Sequence, residues 1–305
     1  MNVYKNPRMV LILSLTCAFL WGSAYPCVKL CYQLFGLGNE IPSRILLAGA
    51  RFALAGGAML IYCRTRGERL RITSARTGRY VAMLAVFQTV IQYSLYYVGL
   101  MNMPAASASV INQSSNFFLV LATPLFFAND RLTPRKLLGV GLGLAGMVVM
   151  NLGDGFSVQF SFMGEGLVLL SAIAAVAGYI ICKKAAGTEL SACALTGWQQ
   201  FIGGVILLAV GGATGGRLET WTVGGTVTLV YLAAIACVAY SIWMRLLQNN
   251  EVARVTVYKF MVPIFGVLCS AVLLGESVFS WQTLIALIMV AAGIIIISIG
   301  KPQKA

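Results

Sequence analysis

The sequence predicts an all-α membrane protein of ten transmembrane helices, arranged as two inverted five-helix repeats. Three observations carry this prediction: an apolar, charge-poor composition, ten apolar segments of spanning length, and a sorting of basic residues between alternate loops. Hydrophobic residues fill 59% of the 305 positions and charged residues only 10%, with a mean hydropathy of +0.85. A soluble domain carries about a quarter of its residues as Asp, Glu, Lys and Arg. An ordinary soluble enzyme, a disordered chain and a disulfide-stapled secreted domain are therefore excluded. The formal charge of +13 would suit nucleic acid only if it were clustered on a wetted face, so no nucleic-acid partner is expected.

The first segment, Met9–Tyr32, follows Lys5 and Arg8. Its uncharged run Met9–Val28 exceeds the roughly 7–15 residues of a signal-peptide core, so it is read as a retained span. Ile45–Tyr62, Tyr80–Gly99, Pro104–Ala128 and Pro134–Leu152 complete the first half. Met163–Cys182, Leu195–Gly212, Val223–Met244, Val252–Leu274 and Ser280–Ile299 form the second. Each offers about the 20 apolar residues that a crossing helix needs. The halves are expected as two domains, residues 1–155 and 156–305.

Loop charge tests this division. With ten spans, seventeen of the 22 basic residues fall on the side of the amino terminus, from Lys5 through the run Arg64–Arg79 to Lys304, and only Arg44 and Arg217 on the other. That bias places both termini in the cytoplasm, in the plasma (inner) membrane, with anionic lipid headgroups as the partner of the basic face. A shift of 147 positions aligns Tyr93–Gly153 with Tyr240–Gly300 without a gap and with thirteen identities, Tyr93/Tyr240, Asn102/Asn249 and Gly146/Gly293 among them. Five spans per repeat is an odd number, so the second half enters the bilayer upside down. Inverted repeats mark secondary transporters, whose substrate sites lie near the midplane between halves.

Polar side chains inside the membrane are costly and mark function. There is no histidine, no CxxC pair among the eight cysteines, and no Asp or Glu central to any span. No metal, no cofactor and no catalytic residue is expected, and a cation exporter that swaps protons on a buried carboxylate is disfavoured. The buried charge is positive instead. Lys259 sits seven residues into the ninth segment, four before Pro263, and is assigned to pair with an anionic group of the cargo; snorkelling to the interface is the alternative. In the fourth segment Asn112 and Asn116 share a face with Ser109, and in the third Gln88, Gln92 and Tyr96 form an i, i+4 stripe. Asn112, Asn116, Gln88 and Gln92 are taken as amide ligands, whereas Gln113 and Ser114 are assigned to helix packing. Trp21, Tyr25, Tyr179 and Tyr240 complete the candidate substrate-binding set, as rings able to stack on cargo or to pack the core. Arg51 and Lys29 lie in the outer parts of their spans and are read as interface anchors, with attraction of anions as the alternative, and Glu276 is read as the cap of a span end or as bonding the turn before Ser280. Gly141–Gly146 spells GxGxxG inside an apolar span with no strand before it, so its glycines are read as helix-packing contacts rather than a dinucleotide loop.

The stretch Ala253, Pro263, Gly275-Glu276, Gln282 and Gly293, with Trp21-Gly22-Ser23, Lys29 and Arg51-Phe52, resembles the EamA repeat of the drug/metabolite transporter superfamily over nearly the whole chain. Asn129-Asp130 stands where that repeat usually has Gly-Glu, and Asn116 where it has proline. The resemblance implies ten helices in two inverted repeats, a central cavity and alternating access; the two repeats are expected to rock about a cavity lined by spans one, three, four, six, eight and nine. Family members carry amino acids, nucleotide sugars, phosphorylated sugars and choline. The expected function is a secondary transporter of a small polar metabolite, an amino acid or related carboxylate, with export implied by the family. With no buried carboxylate, facilitated diffusion and exchange stand beside a coupling proton, and no oligomeric state is set. Two rivals remain open: a choline-like cation transporter, which requires Lys259 to point away from the cavity, and an intramembrane serine–lysine hydrolase, which requires a serine beside it.

Overall fold

The computed structural model describes residues 3–38, 40–127, 132–152, 160–185, 187–250, 255, 257–278 and 280–298. Asn129, Asp130, Arg131, Ala253, Arg254, Lys301 and Lys304, which entered the charge sorting or the resemblance, lie outside the described residues. Among the described residues the chain is helical, with no β-strand. Six helices of the described residues are long and apolar enough to cross a membrane: Pro7–Leu34, Ile41–Thr65, Ala75–Met101, Phe162–Lys184, Ala192–Ala213 and Val223–Trp243. Tyr258–Leu274 and Trp281–Ile297 are shorter apolar helices.

Local chemistry sets the ends. Helix α1 (Pro7–Leu34) starts with Asn6 accepting from the Arg8 amide and with proline in its first turn, where the missing N–H costs nothing. Helix α2 (Ile41–Thr65) opens with Pro42 and stops before Gly67, whose φ of 70° suits glycine. Ser74 caps α3 (Ala75–Leu84), which runs through a π-helical stretch, Ala85–Ile91, into α4 (Gln92–Met101). The fourth predicted segment is broken into α5 (Ala105–Ile111) and α6 (Ser114–Phe126). Thr133 caps α7 (Pro134–Met150). A π-turn, Phe162–Gly166, leads into α8 (Leu167–Lys184). Ser191 and Thr222 cap α9 (Ala192–Ala213) and α10 (Val223–Asn249). The ninth segment begins as a 3-10 turn, Val257–Phe260, continues as α11 (Met261–Leu274) and ends at left-handed Gly275; α12 (Trp281–Ser298) follows.

Small residues let these helices touch backbone to backbone. Between α2 and α9, a Cβ on Gly56 would lie 2.6 Å from Phe201 Cα, and one on Gly204 2.8 Å from Ala53 Cα. Gly139 of α7 and Gly293 of α12 meet the same way, each hypothetical Cβ falling 2.8 or 2.6 Å from the other's carbonyl oxygen. Gly146 packs on Met289 and Ala286, in keeping with a packing role for the GxGxxG stretch. Helix α1 lies against α10 and α11, α8 lies against α4 and α6, and α5 lies against α11. The main core gathers Phe35, Phe52, Tyr97 and Leu100 with Leu207, Leu232 and Val262, so residues from both sequence halves share one interior.

Two connections tie the halves outside the bundle. Glu189, after α8, accepts from the amides of Thr73 and Ser74 and from the hydroxyl of Thr77. Glu276 does not cap its own turn. Its two oxygens accept from the Ala105 and Ala106 amides at 2.8 and 2.9 Å, at the N-terminus of α5, and Oε1 lies 3.5 Å from Lys29 Nζ.

Candidate functional site

A cavity of about 210 Å³ lies where α1, α2 and α4 to α6 meet α8 and the start of the ninth segment. Seven of the nine candidate residues line it: Trp21 and Tyr25 from α1, Gln92 from α4, Asn112 and Asn116 at the α5–α6 break, Tyr179 from α8, and Lys259 from the 3-10 turn. Tyr25 Oη accepts from Asn112 Nδ2 at 2.9 Å, which fixes the amide across the cavity wall. The ammonium of Lys259 lies 5.9 Å from the Tyr179 ring centre and 5.5 Å from that of Trp243, and the Trp243 ring stands edge-on to Trp21 at 5.1 Å. Aromatic faces hold a cation while leaving its N–H donors unused.

The break in the fourth segment has a local cause. The amides of Gln113, Ser115 and Asn116 each bond three residues back, to Val110, Asn112 and Gln113, so the carbonyls of Ser109, Ile111 and Asn112 lose their usual i+4 donors. Gln113 Nε2 takes over the Ser109 carbonyl at 3.4 Å, and Ser115 Oγ donates to that of Asn112 at 2.9 Å. Polar side chains thus satisfy a backbone that lipid could not. Gln113 and Ser115 both line the cavity, and Gln113 Oε1 accepts from Asn116 Nδ2 at 2.9 Å. Gln113, assigned to helix packing, thus bonds its own segment and also lines the cavity; Ser114 is buried with its hydroxyl unpartnered.

Two candidates lie elsewhere. Gln88 belongs to the π-helical stretch and its side chain packs on Gly178 of α8. A π-turn adds a residue per turn, so the i, i+4 stripe from Gln88 to Gln92 is rotated out of phase. Tyr240 lies beside Thr196 of α9 and does not line the cavity. The eighth span, expected in the lining, contributes none of it; the second does, through Arg51.

Arg51 is the residue that sequence reasoning misplaced. Helix α2 begins at Ile41 rather than Ile45, which puts Arg51 near its middle, with 7% of its surface exposed. Its NH1 donates to Tyr97 Oη at 3.3 Å, its guanidinium carbon lies 5.0 Å from the centre of the Phe52 ring, and its Nε has no partner. Tyr93 and Tyr96 of the cavity wall stand beside it, and the oxygens Gln92 Oε1 and Tyr96 Oη are also buried without partners. The signal was present in the sequence: an arginine in an apolar run, with Tyr93 and Tyr97 at helical spacing one span later.

A polar, positively charged chamber enclosed by apolar, membrane-length helices defines a multi-span membrane carrier, with a small molecule as its cargo and lipid as its surroundings. The chain belongs to the EamA-like transporter family, whose model matches residues 8–152 and 162–299. It is similar to a probable amino-acid metabolite efflux pump of Salmonella typhimurium, 27% identical over 93% of each chain. An uncharacterised transporter of Bacillus subtilis is 25% identical over 100% of this chain and 96% of its own, and an uncharacterised inner membrane transporter of Escherichia coli is 25% identical over 92% and 88%. A solved crystal structure shares the fold with a TM-score of 0.66 at 18% identity, over 94% of this chain and 96% of its own.

Proposed function

We propose that this protein is an inner-membrane exporter of a small amino acid or related carboxylate, working by alternating access, with both termini in the cytoplasm. The observation that carries the reading is the cavity itself: Lys259 with amides from Gln92, Asn112 and Asn116, and no carboxylate in the lining. Lys259 binds the carboxylate of the cargo, and the amides hydrogen-bond its remaining polar groups. Export and the amino-acid class are supported by the name of the Salmonella relative.

Ten crossing segments in two inverted repeats, residues 1–155 and 156–305, form the moving parts. Two features support that division. The helix pairs α1–α10 and α1–α11 exchange with α8–α4 and α8–α6 when the halves are swapped, while α2–α9, α7–α12 and α5–α11 map onto themselves. The helix breaks at Asn112-Gln113 and at Lys259-Phe260 also coincide under the 147-residue shift. The rivals are less well supported. Lys259 lines the cavity instead of pointing away, and among the described residues no serine hydrogen-bonds it.

The test is transport by the purified chain in proteoliposomes, against labelled amino acids, nucleotides, sugars and quaternary amines. Carboxylate transport that Lys259→Ala abolishes is the expected result. Undiminished anion transport by Lys259→Ala, or transport of quaternary amines alone, overturns the reading.

A further inference from the structure

We infer that the cargo carries two anionic groups: a four- or five-carbon dicarboxylate, with or without an α-amino group, held between Lys259 and Arg51. This rests on the transport reading above and narrows its substrate class.

The cavity wall contains two cationic side chains and no acidic one. Among the described residues neither has a carboxylate within ion-pair distance, since the ion pair found there joins Lys29 to Glu276. A buried charge without a counter-ion is expensive, and removing one partner of a buried pair costs several kcal/mol. Lys259 is eased by two aromatic faces and Arg51 by the Phe52 ring and one long bond to Tyr97, but Arg51 keeps a buried Nε–H with no acceptor. A guanidinium is matched to a carboxylate by its planar fork of donors. A zwitterion with one carboxylate would answer one of these cations and leave the other bare. A cargo with two carboxylates answers both, and the free Gln92 Oε1 is an acceptor for an ammonium or hydroxyl between them.

Volume limits the choice. A cavity of about 150 Å³ accepts benzene, with six heavy atoms, so 210 Å³ suits roughly eight to ten. Succinate, aspartate and glutamate fall in that range. Nucleotide sugars and most phosphorylated sugars exceed it.

Glutamate and glutamine have the same shape and differ by one charge, so they isolate the second cation. In proteoliposomes holding the full chain, glutamate and succinate are expected to show at least a tenfold lower KM than glutamine, the scale of one charge-assisted hydrogen-bonded contact. Arg51→Gln should erase the glutamate–glutamine difference, and Arg51→Lys should restore part of it. Should Arg51→Gln fail to fold, competition between the two amino acids on the wild-type protein still decides. Glutamine taken as well as or better than glutamate, with Lys259→Ala still abolishing transport, overturns the dianion while leaving the carrier function standing. Transport of neither, with quaternary amines carried instead, overturns the carrier reading itself.

Discussion

Two adjacent glycines in α2 give opposite outcomes for the same substitution. A Cβ on Gly56 would fall 2.6 Å from Phe201 Cα and 2.8 Å from the Gly197 carbonyl oxygen of α9. Both are backbone atoms and cannot rotate aside. Reaching ordinary contact at 3.4 Å from the Phe201 Cα alone requires the helices to part by about 0.8 Å, and the Phe201 amide nitrogen lies nearer still. Overpacking of this kind costs ~1–3 kcal/mol, and the upper end applies where neither side can repack. Replacing glycine by alanine inside a helix returns ~1 kcal/mol. The net for Gly56→Ala is a loss of about 2 kcal/mol. At Gly57 the Cβ would meet only the Phe201 ring, at 3.8 and 3.9 Å, so Gly57→Ala keeps the propensity gain and is neutral or slightly stabilising. At roughly 2–4 °C per kcal/mol for a chain of this order of size, the two variants should melt about 5 °C or more apart. Thermal unfolding in detergent, followed by a thiol-reactive dye that labels the buried cysteines as they emerge, reads this directly. Equal melting temperatures for the two variants would refute the backbone-to-backbone packing of α2 on α9.

The carboxylate links outside the cavity make two further predictions. Glu276→Ala removes both acceptors from the start of α5 and strands Lys29; a cap loss of ~1–2 kcal/mol is expected, with Glu276→Gln recovering part and Lys29→Met costing less than Glu276→Ala. A larger melting loss for Lys29→Met would show that the ion pair, and not the cap, matters. Glu189 lies outside the membrane, and hydrogen bonds from the Thr77 hydroxyl and the Ser74 and Thr73 amides hold its carboxyl well below the usual carboxylate range. A depressed folded pKa gives stability that is present above the unfolded value of about 4.3 and lost as pH falls through the folded one. Glu189→Gln should therefore melt below the wild type at neutral pH and begin to converge with it only as pH falls below about 4, in melting curves taken across that range.

The helices were readable because lipid leaves the backbone few options, and the ends carry ordinary caps: Asn6, Ser74, Thr133, Ser191 and Thr222. What the sequence hid was phase and depth. Gln88 and Gln92 look like neighbours on one face, but the π-turn between them rotates one onto Gly178 and leaves the other at the cavity. Arg51 looked peripheral because its helix was started four residues late, at Ile45 instead of Ile41. Glu276 caps neither its own span end nor its own turn but amides 170 residues away in the chain. Register and long-range partnership are decided by packing, and a single sequence carries little trace of either.

The interrupted fourth and ninth segments have a mechanical consequence. A continuous helix is a stiff rod, whereas a rod with a broken turn bends at one place. Here those joints are built from Asn112 and Gln113 on one side and from the turn carrying Lys259 on the other. On the proposed reading, the groups that grip the cargo are the joints themselves. A cargo bridging them would set the angle of both, so that filling the chamber and re-aiming its two ends would become a single event.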